Sequence, residues 1–186
     1  MIIAIDIDNT LWDFANLWIE YYNRQYNDNI RPFDEGDYSI GVKLSEEKAQ
    51  KVYSVLDDPM FYEYLYRNQN ADLIKENVLA LKYLNDNHDV YIVTSTIYTH
   101  LYYKIRVFLK IFDFIKPEQI ITMNNKWLFN ADLFIDDNPI VLQNCLNNDK
   151  NVLKINQFYN SNIRCNGADT FYDVVQKGRL FGIFSS

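Results

Sequence analysis

The chain has 186 residues, a formal net charge of −7 at pH 7 and 48% hydrophobic residues. This length allows one hydrophobic core with a modest insertion, and the apolar content excludes wholesale disorder. The acidic balance argues against a nucleic-acid-binding surface, which needs a basic face. It does not exclude a small anionic substrate, because a bound cation can reverse the local electrostatic field.

Targeting and redox signals are sparse. Asp6 and Asp8 interrupt the N-terminal apolar run, so no signal peptide is visible, and no apolar stretch is long enough to span a membrane. The two cysteines, Cys145 and Cys165, lack the spacing of a metal site, which favours a reduced cytoplasmic protein. We therefore expect neither nucleic acid nor membrane as a partner, while the oligomeric state stays open, with a homodimer among the alternatives.

The first twelve residues organise the rest of the chain. An Ile-rich run from Met1 to Ile5 predicts a buried strand, which ends in Asp6 and Asp8. Thr10 is then expected to be the N-cap of a helix from Leu11 to about Tyr26. Ligands of open α/β sheets bind at the carboxyl ends of strands, so the two acids stand where a site is expected. Taken alone, both could instead be loop carboxylates that cap the helix.

Residues from about Ala15 to Asn70 do not alternate between strands and helices, and they predict a mostly helical insertion after the first strand. Pro and Gly residues indicate a loop from Asn27 to Val42. A helix is expected from Ser45 to Leu56, followed by a short aromatic stretch from Met60 to Tyr66.

Strands and helices alternate in the remainder of the chain, which indicates right-handed crossovers and a parallel α/β sheet. A helix opens this part at Asn70 or Asp72. The strands are expected at Val90–Val93, Gln119–Met123, Ala131–Ile135 and Val152–Ile155. The later helices are expected at Ile97–Ile111, Pro139–Leu146 and Thr170–Lys177.

Polar side chains follow the ends of several of these strands. They are Asp6 and Asp8, Thr94 and Ser95, Lys126, and Asp136 and Asp137. Strand ends of one parallel sheet converge at one edge, so we expect these groups to meet. Four carboxylates in one pocket would raise one another's pKa, and a divalent cation removes that problem. Oxygen-only ligands point to Mg²⁺.

Each of the groups around the carboxylates could bind the substrate or could have a purely structural role. Thr94 and Ser95 offer hydroxyl and backbone N–H groups at a helix start, where an anion can bind, although simple helix capping is commoner. Lys126 could balance the charge of a phosphate, or it could be a solvated loop lysine. His88 and His100 lie outside the set and are expected to be surface or helix residues, so nothing suggests a zinc site.

In their order and at strand ends, these residues match four motifs of a known superfamily. Asp6-x-Asp8-x-Thr10, Thr94-Ser95, Lys126 and Asp136-Asp137 resemble those of the haloacid-dehalogenase-like phosphatases. The segments Ala131–Pro139, Val93–Ser95 and Leu44–Ala49 are similar to the 5'(3')-deoxyribonucleotidase branch. The resemblance covers most of the chain and is weakest from Asn27 to Val42 and after Ile155.

The resemblance implies a Rossmann-like core, residues 1–14 and 71–186, with a small helical cap, residues 15–70. It implies that Asp6 is the nucleophile that forms an aspartyl-phosphate, and that Asp8 is the general acid and base. Mg²⁺ would be held by the Asp6 side chain, the Asp8 backbone carbonyl and Asp137, with Asp136 further out, although the sequence does not separate these two. Thr94, Ser95 and Lys126 would bind the phosphoryl oxygens.

Two positions depart from the family pattern, and two aromatic residues concern the substrate. Asn9 stands where many relatives have Gly, a mild change because Asn tolerates unusual backbone angles. Tyr98 stands where some nucleotidases carry a Lys near the phosphate. Phe14 is expected beside the phosphate at the cap hinge, and Tyr38 could stack on a base or pack inside the cap.

The main expectation is a Mg²⁺-dependent phosphatase for deoxynucleoside monophosphates. The alternatives are a phosphatase for another small phosphate ester, an enzyme that removes 3'-phosphates from nucleic acid, and a non-catalytic binding protein with the same fold. The presence of every motif residue argues against the last of these. The preferred base, the sugar and the position of the phosphate stay open.

Overall fold

The computed structural model describes residues 1–31, 38–39, 43–96, 98–180 and 182–184. The strands in these ranges are β1 (Ile2–Ile5), β2 (Asp89–Thr94), β3 (Ile120–Thr122), β4 (Leu133–Asp136), β5 (Asn151–Ile155) and β6 (Gly167–Ala168). They form a six-stranded parallel sheet in the order β3-β2-β1-β4-β5-β6. The predicted parallel α/β sheet is therefore confirmed. Only the short edge strand β6 had no counterpart in the sequence prediction.

Helices cover the connections between the strands. In the described residues they are α1 (Ala15–Tyr26), α2 (Glu46–Ser54), α3 (Pro59–Asn68), α4 (Ala71–Asn87), α5 (Tyr98–Ile111), α6 (Pro139–Asn147) and α7 (Phe171–Leu180). None of them combines the length and the apolar character that a membrane-spanning helix needs. The expected loop from 27 to 42 and the expected helix start at Ile97 fall partly or wholly outside the described residues.

Several helix boundaries follow local capping chemistry. The side chains of Ser45 and Asn70 cap α2 and α4 as predicted, because each accepts hydrogen bonds from backbone N–H groups of the first turn. The aromatic stretch after Pro59 is longer than predicted and forms all of α3, with the Asp58 side chain as its cap. Pro at the first turn is compatible with that start because its missing N–H is not needed there.

The start of α1 differs from the prediction. The helix begins at Ala15 rather than Leu11, and Thr10 is not its N-cap. The Asn9 side-chain oxygen accepts from the backbone N–H groups of Phe14 at 3.3 Å and Ala15 at 2.9 Å. Thr10 is buried, and its hydroxyl donates to Asp137 instead of capping the helix. The residues between β1 and α1 therefore form a loop, which the hydrogen bonds to the Asn9 side chain stabilise.

The strands place alternate side chains on two covered faces. Ile3 and Ile5 belong to the larger apolar cluster, whereas Ala4 between them belongs to the smaller one. The same alternation in β4 places Ile135 in the larger cluster and Phe134 in the smaller one. Burial on both faces explains why the strands read as continuous apolar runs.

The register aligns the strand ends at the point where the chain order reverses. Ile5 of β1 pairs with Ile92 of β2 on one side and with Ile135 of β4 on the other. Asp6 and Asp136, which follow directly, therefore stand side by side at the carboxyl edge. The chain runs outward from β1 to β3 and then returns to β4 beside β1, which makes this the topological switch point where ligands bind in such sheets.

Helices α1, α2 and α3 pack together between β1 and α4. The Trp18 indole N–H donates to the backbone carbonyl of Val52 at 2.9 Å and ties α1 to α2. The Tyr62 ring on α3 stacks on that of Tyr103 on α5, with centroids 5.8 Å apart. This helical group therefore contacts the core next to the carboxyl edge of the sheet.

Candidate active site

The loop after β1 brings a strained backbone position next to the acids. Asn9 has φ = 55°, in the left-handed region where Gly and Asn are favoured. This agrees with the interpretation of Asn9 as a tolerated replacement for Gly. The turn allows Thr10 to aim its hydroxyl at Asp137, to which it donates a 3.2 Å hydrogen bond. Thr10 thus links the first motif to the last one.

Lys126 lies at the centre of one half of the site. It stands in a 3₁₀ turn, Lys126–Leu128, after β3 and is only 2% exposed, so its interpretation as a solvated loop lysine is wrong. Its ammonium donates to Asp6 Oδ1 and, at 2.9 Å, to Asp136 Oδ2. Burial alone would lower the pKa of Lys126, but Asp136 and Asp6 outweigh it and raise this pKa. The lysine therefore stays charged.

Asp136 and Asp137 follow each other but have different partners. Besides Lys126, Asp136 accepts from the backbone N–H of Asn138 at 2.8 Å. Burial raises the pKa of Asp136 to about 6 against the opposing charge of Lys126. Burial, with the charges of Asp136 and Asp6, raises the pKa of Asp137 well above its ordinary value. Asp137 is bonded to neutral groups: the Thr10 hydroxyl on Oδ1 and the Tyr159 hydroxyl on Oδ2.

Asp6, Asp136 and Asp137 form the one acidic group in the described residues that could hold a metal ion. All three are buried, and one oxygen from each lies within 4.8 Å of the others. The donors are carboxylates without a histidine or cysteine, and burial, with the charges of neighbouring carboxylates, raises the pKa of Asp136 and Asp137. A hard divalent cation such as Mg²⁺ fits this donor set.

Asp8 occupies the other half of the site. It accepts from the Trp12 indole N–H at 2.9 Å and from the Lys104 ammonium at 2.5 Å. Burial and the nearby charge of Asp6 raise the pKa of Asp8, and Lys104 opposes them. The Lys104 ammonium also donates to Thr94 Oγ1 at 2.8 Å, and Thr94 is fully buried. Lys104 thus joins Asp8 to the end of β2.

The sequence analysis missed Lys104, although a signal was present. Residues His100, Lys104 and Phe108 recur every four positions along α5, the spacing continues to Phe112 directly after the helix, and all four are buried. A lysine inside such an apolar stripe needs a buried partner, because an unpaired charge there is costly. Tyr98, the position where some nucleotidases carry a lysine, has its side chain outside the described part of the chain. Lys104, six residues later on α5, supplies an ammonium group to Thr94.

A cavity of about 490 Å³ opens in front of Asp8 and Lys104. Phe14 and Ser95 line it, together with residues of α2, α3 and the turn between them. Ser95 is exposed, and its hydroxyl donates to the Met123 carbonyl at 3.1 Å. The volume falls within the range of about 300–1,000 Å³ that is typical of small-molecule sites.

The cavity wall contains a contact that the sequence analysis did not foresee. His100 is a helix residue, as expected, but it is only 6% exposed and lines this cavity. Its Nε2 lies 3.0 Å from Asp57 Oδ1, which follows α2. The pair therefore joins the helical insertion to α5 beside Ser95.

Tyr38 contacts residues near Asp137, namely Asn138 and Tyr159. Its hydroxyl accepts from the Asn138 side-chain amide at 2.7 Å, and its ring meets the Tyr159 ring edge-on at 5.3 Å. Tyr159 and the neighbouring Asn160 are buried polar residues that the sequence analysis also missed. No pattern in the irregular segment after β5 pointed to them.

A parallel sheet with paired acids and a buried lysine at its switch point is the arrangement expected of the haloacid-dehalogenase type, and the family comparisons identify the chain as a phosphoric monoester hydrolase. A family model described as "5' nucleotidase, deoxy (Pyrimidine), cytosolic type C protein" matches residues 1–179. A 5'(3')-deoxyribonucleotidase from Clostridium acetobutylicum is 33% identical over 142 residues, 76% of this chain and 76% of that protein. The chain belongs to this deoxyribonucleotidase family.

Solved structures support the fold. A hydrolase from Pseudomonas syringae superposes with a TM-score of 0.61 at 13% identity, covering 98% of this chain and 99% of that one. A haloacid-dehalogenase-type hydrolase from Bacillus subtilis, bound to magnesium, gives a TM-score of 0.57 at 14% identity, covering 100% and 98%. These structures confirm the predicted fold class, and the family model with the 33% identical relative confirms the predicted family.

Proposed function

We propose that the chain is a Mg²⁺-dependent phosphatase that hydrolyses deoxyribonucleoside monophosphates through an aspartyl-phosphate on Asp6. The supporting observation is that two neighbouring carboxylates stand in different surroundings. Asp6 contacts the Lys126 ammonium in the buried cluster, whereas Asp8 lines the open cavity beside Lys104. Carboxylates whose environments differ in this way can take different roles in one reaction.

In the first step, a carboxylate oxygen of Asp6 bonds to phosphorus while the bond from phosphorus to the ester oxygen breaks. Asp8 gives its proton to the departing oxygen, and its raised pKa favours the protonated form that this requires. The Trp12 N–H and the Lys104 ammonium orient the Asp8 carboxyl group toward the cavity.

In the second step, Asp8, now a carboxylate, takes a proton from water. The water oxygen bonds to phosphorus and releases Asp6, which yields inorganic phosphate and restores both side chains. Among the described residues, Lys126 uses two of its three N–H groups on Asp6 and Asp136. The third N–H, with Thr94 and Ser95, would bind the phosphoryl oxygens throughout.

Asp6, Asp137 and the Asp8 backbone carbonyl would hold Mg²⁺, and Asp136 would stay with Lys126. The bound cation would withdraw negative charge from the phosphoryl group. The carboxylate cluster described above supports this assignment, because its three side chains carry more negative charge than Lys126 neutralises.

Residues 15–70 are the cap in this proposal, and the cavity between cap and core holds the nucleoside. Aromatic side chains, Phe14, Tyr53 and Tyr62, line the cavity and could cover a sugar and base. The likeness to deoxyribonucleotidases supports this substrate class. Free cysteines at 145 and 165 fit the expected cytoplasmic location.

The test is phosphate release from a panel of deoxynucleotides, ribonucleotides, sugar phosphates and 3'-phosphorylated oligonucleotides, with EDTA or with Mg²⁺. We expect release from deoxynucleoside monophosphates that depends on Mg²⁺ and is absent in Asp6→Asn. Preference for a sugar phosphate over every deoxynucleotide would reject the substrate, and preference for an oligonucleotide would indicate end processing. No hydrolysis of any ester would leave a binding protein.

A further inference from the structure

A short 3₁₀ turn, Phe158–Asn160, follows β5 and packs against the acid cluster. Buried Lys154 fixes this turn, because its ammonium donates to the carbonyl oxygens of Asn160 at 3.2 Å and Ile163 at 2.9 Å. The fully buried Asn160 amide in turn donates to the backbone carbonyl of Asp137 at 2.7 Å. The turn therefore has a fixed position relative to Asp137.

Tyr159 uses this fixed position to reach the Asp137 carboxylate. It is only 5% exposed, and its hydroxyl donates to Asp137 Oδ2. The Asn9 side-chain amide donates to the Tyr159 hydroxyl oxygen at 3.4 Å. Because the hydroxyl accepts from Asn9, its own proton is directed to Asp137. With the Thr10 hydroxyl on Oδ1, each oxygen of Asp137 receives one neutral hydrogen bond.

These neutral donors distinguish Asp137 from its neighbour. Asp136 is paired with the Lys126 ammonium, so its charge is compensated by the protein. Asp137 has two hydroxyl donors, which orient a carboxylate without neutralising it. A carboxylate has about four lone-pair positions, so the hydrogen bonds from the described residues leave two of them for a further partner. Hydrogen bonds of this kind orient carboxylates that bind metals, and their loss weakens metal affinity.

We propose that Tyr159 is a positioning residue that holds the Asp137 carboxylate in the orientation in which it binds the divalent cation. This inference rests on the Mg²⁺ site of the proposed function. Tyr159 acts through Asp137 and has no part in the proton transfers or in holding the phosphoryl group. Its effect is therefore on cation affinity rather than on the chemical step.

The test is Tyr159→Phe, which removes one oxygen and keeps the ring that packs against Tyr38. Mg²⁺ binding without substrate is measured by calorimetry, and the electron paramagnetic resonance of bound Mn²⁺ gives a second readout. We expect the Kd for Mg²⁺ to rise about 10- to 100-fold. At saturating Mg²⁺, we expect kcat to return close to that of the wild type, with an unchanged KM.

Tyr83→Phe is the matched control, because it removes a tyrosine hydroxyl that donates to the Phe184 carbonyl in another part of the molecule. It should leave the Kd for Mg²⁺ unchanged. An unchanged Kd in Tyr159→Phe, beside a wild type that binds Mg²⁺, would overturn the inference and leave the proposed function intact. A wild type that hydrolyses nucleotides but binds no Mg²⁺ would overturn both the inference and the metal assignment.

Discussion

The two sides of the acid cluster differ in how their carboxylates are neutralised. On one side, Asp6 and Asp8 each contact a buried lysine, Lys126 and Lys104, and both lysines are only 2% exposed. On the other side, Asp137 is also only 2% exposed, but its carboxylate accepts hydrogen bonds from the hydroxyl groups of Thr10 and Tyr159. The chain supplies its own cations to the proposed reacting carboxylates, whereas no ammonium or guanidinium of the described residues forms an ion pair with Asp137.

This difference separates two properties of the site. The lysines hold Asp6 and Asp8 in place whether or not a metal is bound, so the proposed reacting groups are preorganised in the free protein. The charge of Asp137 is costly when buried without a cation, and it therefore favours cation binding. Substitutions on the lysine side should change chemistry and stability, whereas those on the hydroxyl side should change cation affinity.

The largest expected effect is that of Asp6→Asn. An amide does not attack phosphorus, so kcat should fall by more than about 10⁴-fold, as when other covalent nucleophiles are removed. Phosphate release from the preferred nucleotide measures this loss, and circular dichroism confirms that the variant folds. Turnover near that of the wild type in a folded Asp6→Asn variant would reject the covalent mechanism.

Lys126→Met and Lys104→Met compare the two buried lysines. Removing Lys126 leaves the buried carboxylates of Asp6 and Asp136 without their cation, which should lower the free energy of unfolding by about 3–5 kcal/mol. Removing Lys104 should cost less, because the Asp8 side chain is 26% exposed and can regain water. Urea unfolding in EDTA measures both values.

Lys82→Met is the control for these substitutions, because it breaks an exposed ion pair with Asp86. Its cost should stay below about 1 kcal/mol. If Lys104→Met proves as costly as Lys126→Met, the partial exposure of Asp8 does not relieve the loss of its partner. The cost would then have to come from the Thr94 contact that Lys104 also makes.

What could be predicted from the sequence does not follow this division, because one residue was missed on each side, Lys104 on Asp8 and Tyr159 on Asp137. The strands, the switch point and the motif residues follow local rules, because apolar runs and strand-end polar residues can be read directly from the chain. Lys104 and Tyr159 act through partners 96 and 22 positions away, so no local pattern specifies the contacts. Thr10 was assigned to a helix cap because its true partner, Asp137, is 127 positions away.

Asp137→Ala and Asp136→Ala compare the carboxylate that is bonded to hydroxyls with its neighbour that is paired with Lys126. Asp137→Ala should raise the Kd for Mg²⁺ by at least about 10–100-fold, the loss expected even for a group that only orients a ligand. Asp136→Ala should raise it less, because Asp136 is paired with Lys126. Calorimetry with Mg²⁺ compares the two variants. Equal or reversed effects would assign the cation to Asp136.

The stability of the metal-free protein should depend on pH through these carboxylates. The pKa of Asp136 is about 6 in the folded chain and 3.8 in the reference state, so the folded state binds more protons between those values. Proton binding to Asp136 therefore stabilises the folded state at low pH, and the free energy of unfolding in EDTA should fall as pH rises from about 4 to 6. Urea unfolding across that range measures the fall.

Two comparisons sharpen this pH prediction. Asp136→Asn should reduce the fall, since the variant no longer titrates at that position. Saturating Mg²⁺ should make this fall in the free energy of unfolding smaller, because the cation displaces protons from the cluster and binds more tightly as pH rises. A pH dependence that is identical in the wild type and in Asp136→Asn would contradict the assignment of the raised pKa to this residue.

The smallest expected effect concerns the two aromatic residues assigned to the substrate. Phe14 lines the cavity in front of Asp8, whereas Tyr38 contacts Asn138 and Tyr159 on the hydroxyl side. If Phe14 stacks on the nucleoside, Phe14→Ala should raise the KM for a nucleotide by the low end of the stacking range, about 1 kcal/mol or fivefold. Hydrolysis of a small aryl phosphate, which barely reaches the cap, should be spared.

Tyr38→Ala applies the same comparison to the hydroxyl side. Selective loss of nucleotide kcat/KM, with aryl phosphate hydrolysis retained, would support stacking of Tyr38 on the base. Equal loss with both substrates would indicate a structural role, and a rise in the Kd for Mg²⁺ would trace that role to the contact with Tyr159. Because the two readouts are independent, one variant decides whether Tyr38 serves the substrate or the side of the site that binds the cation.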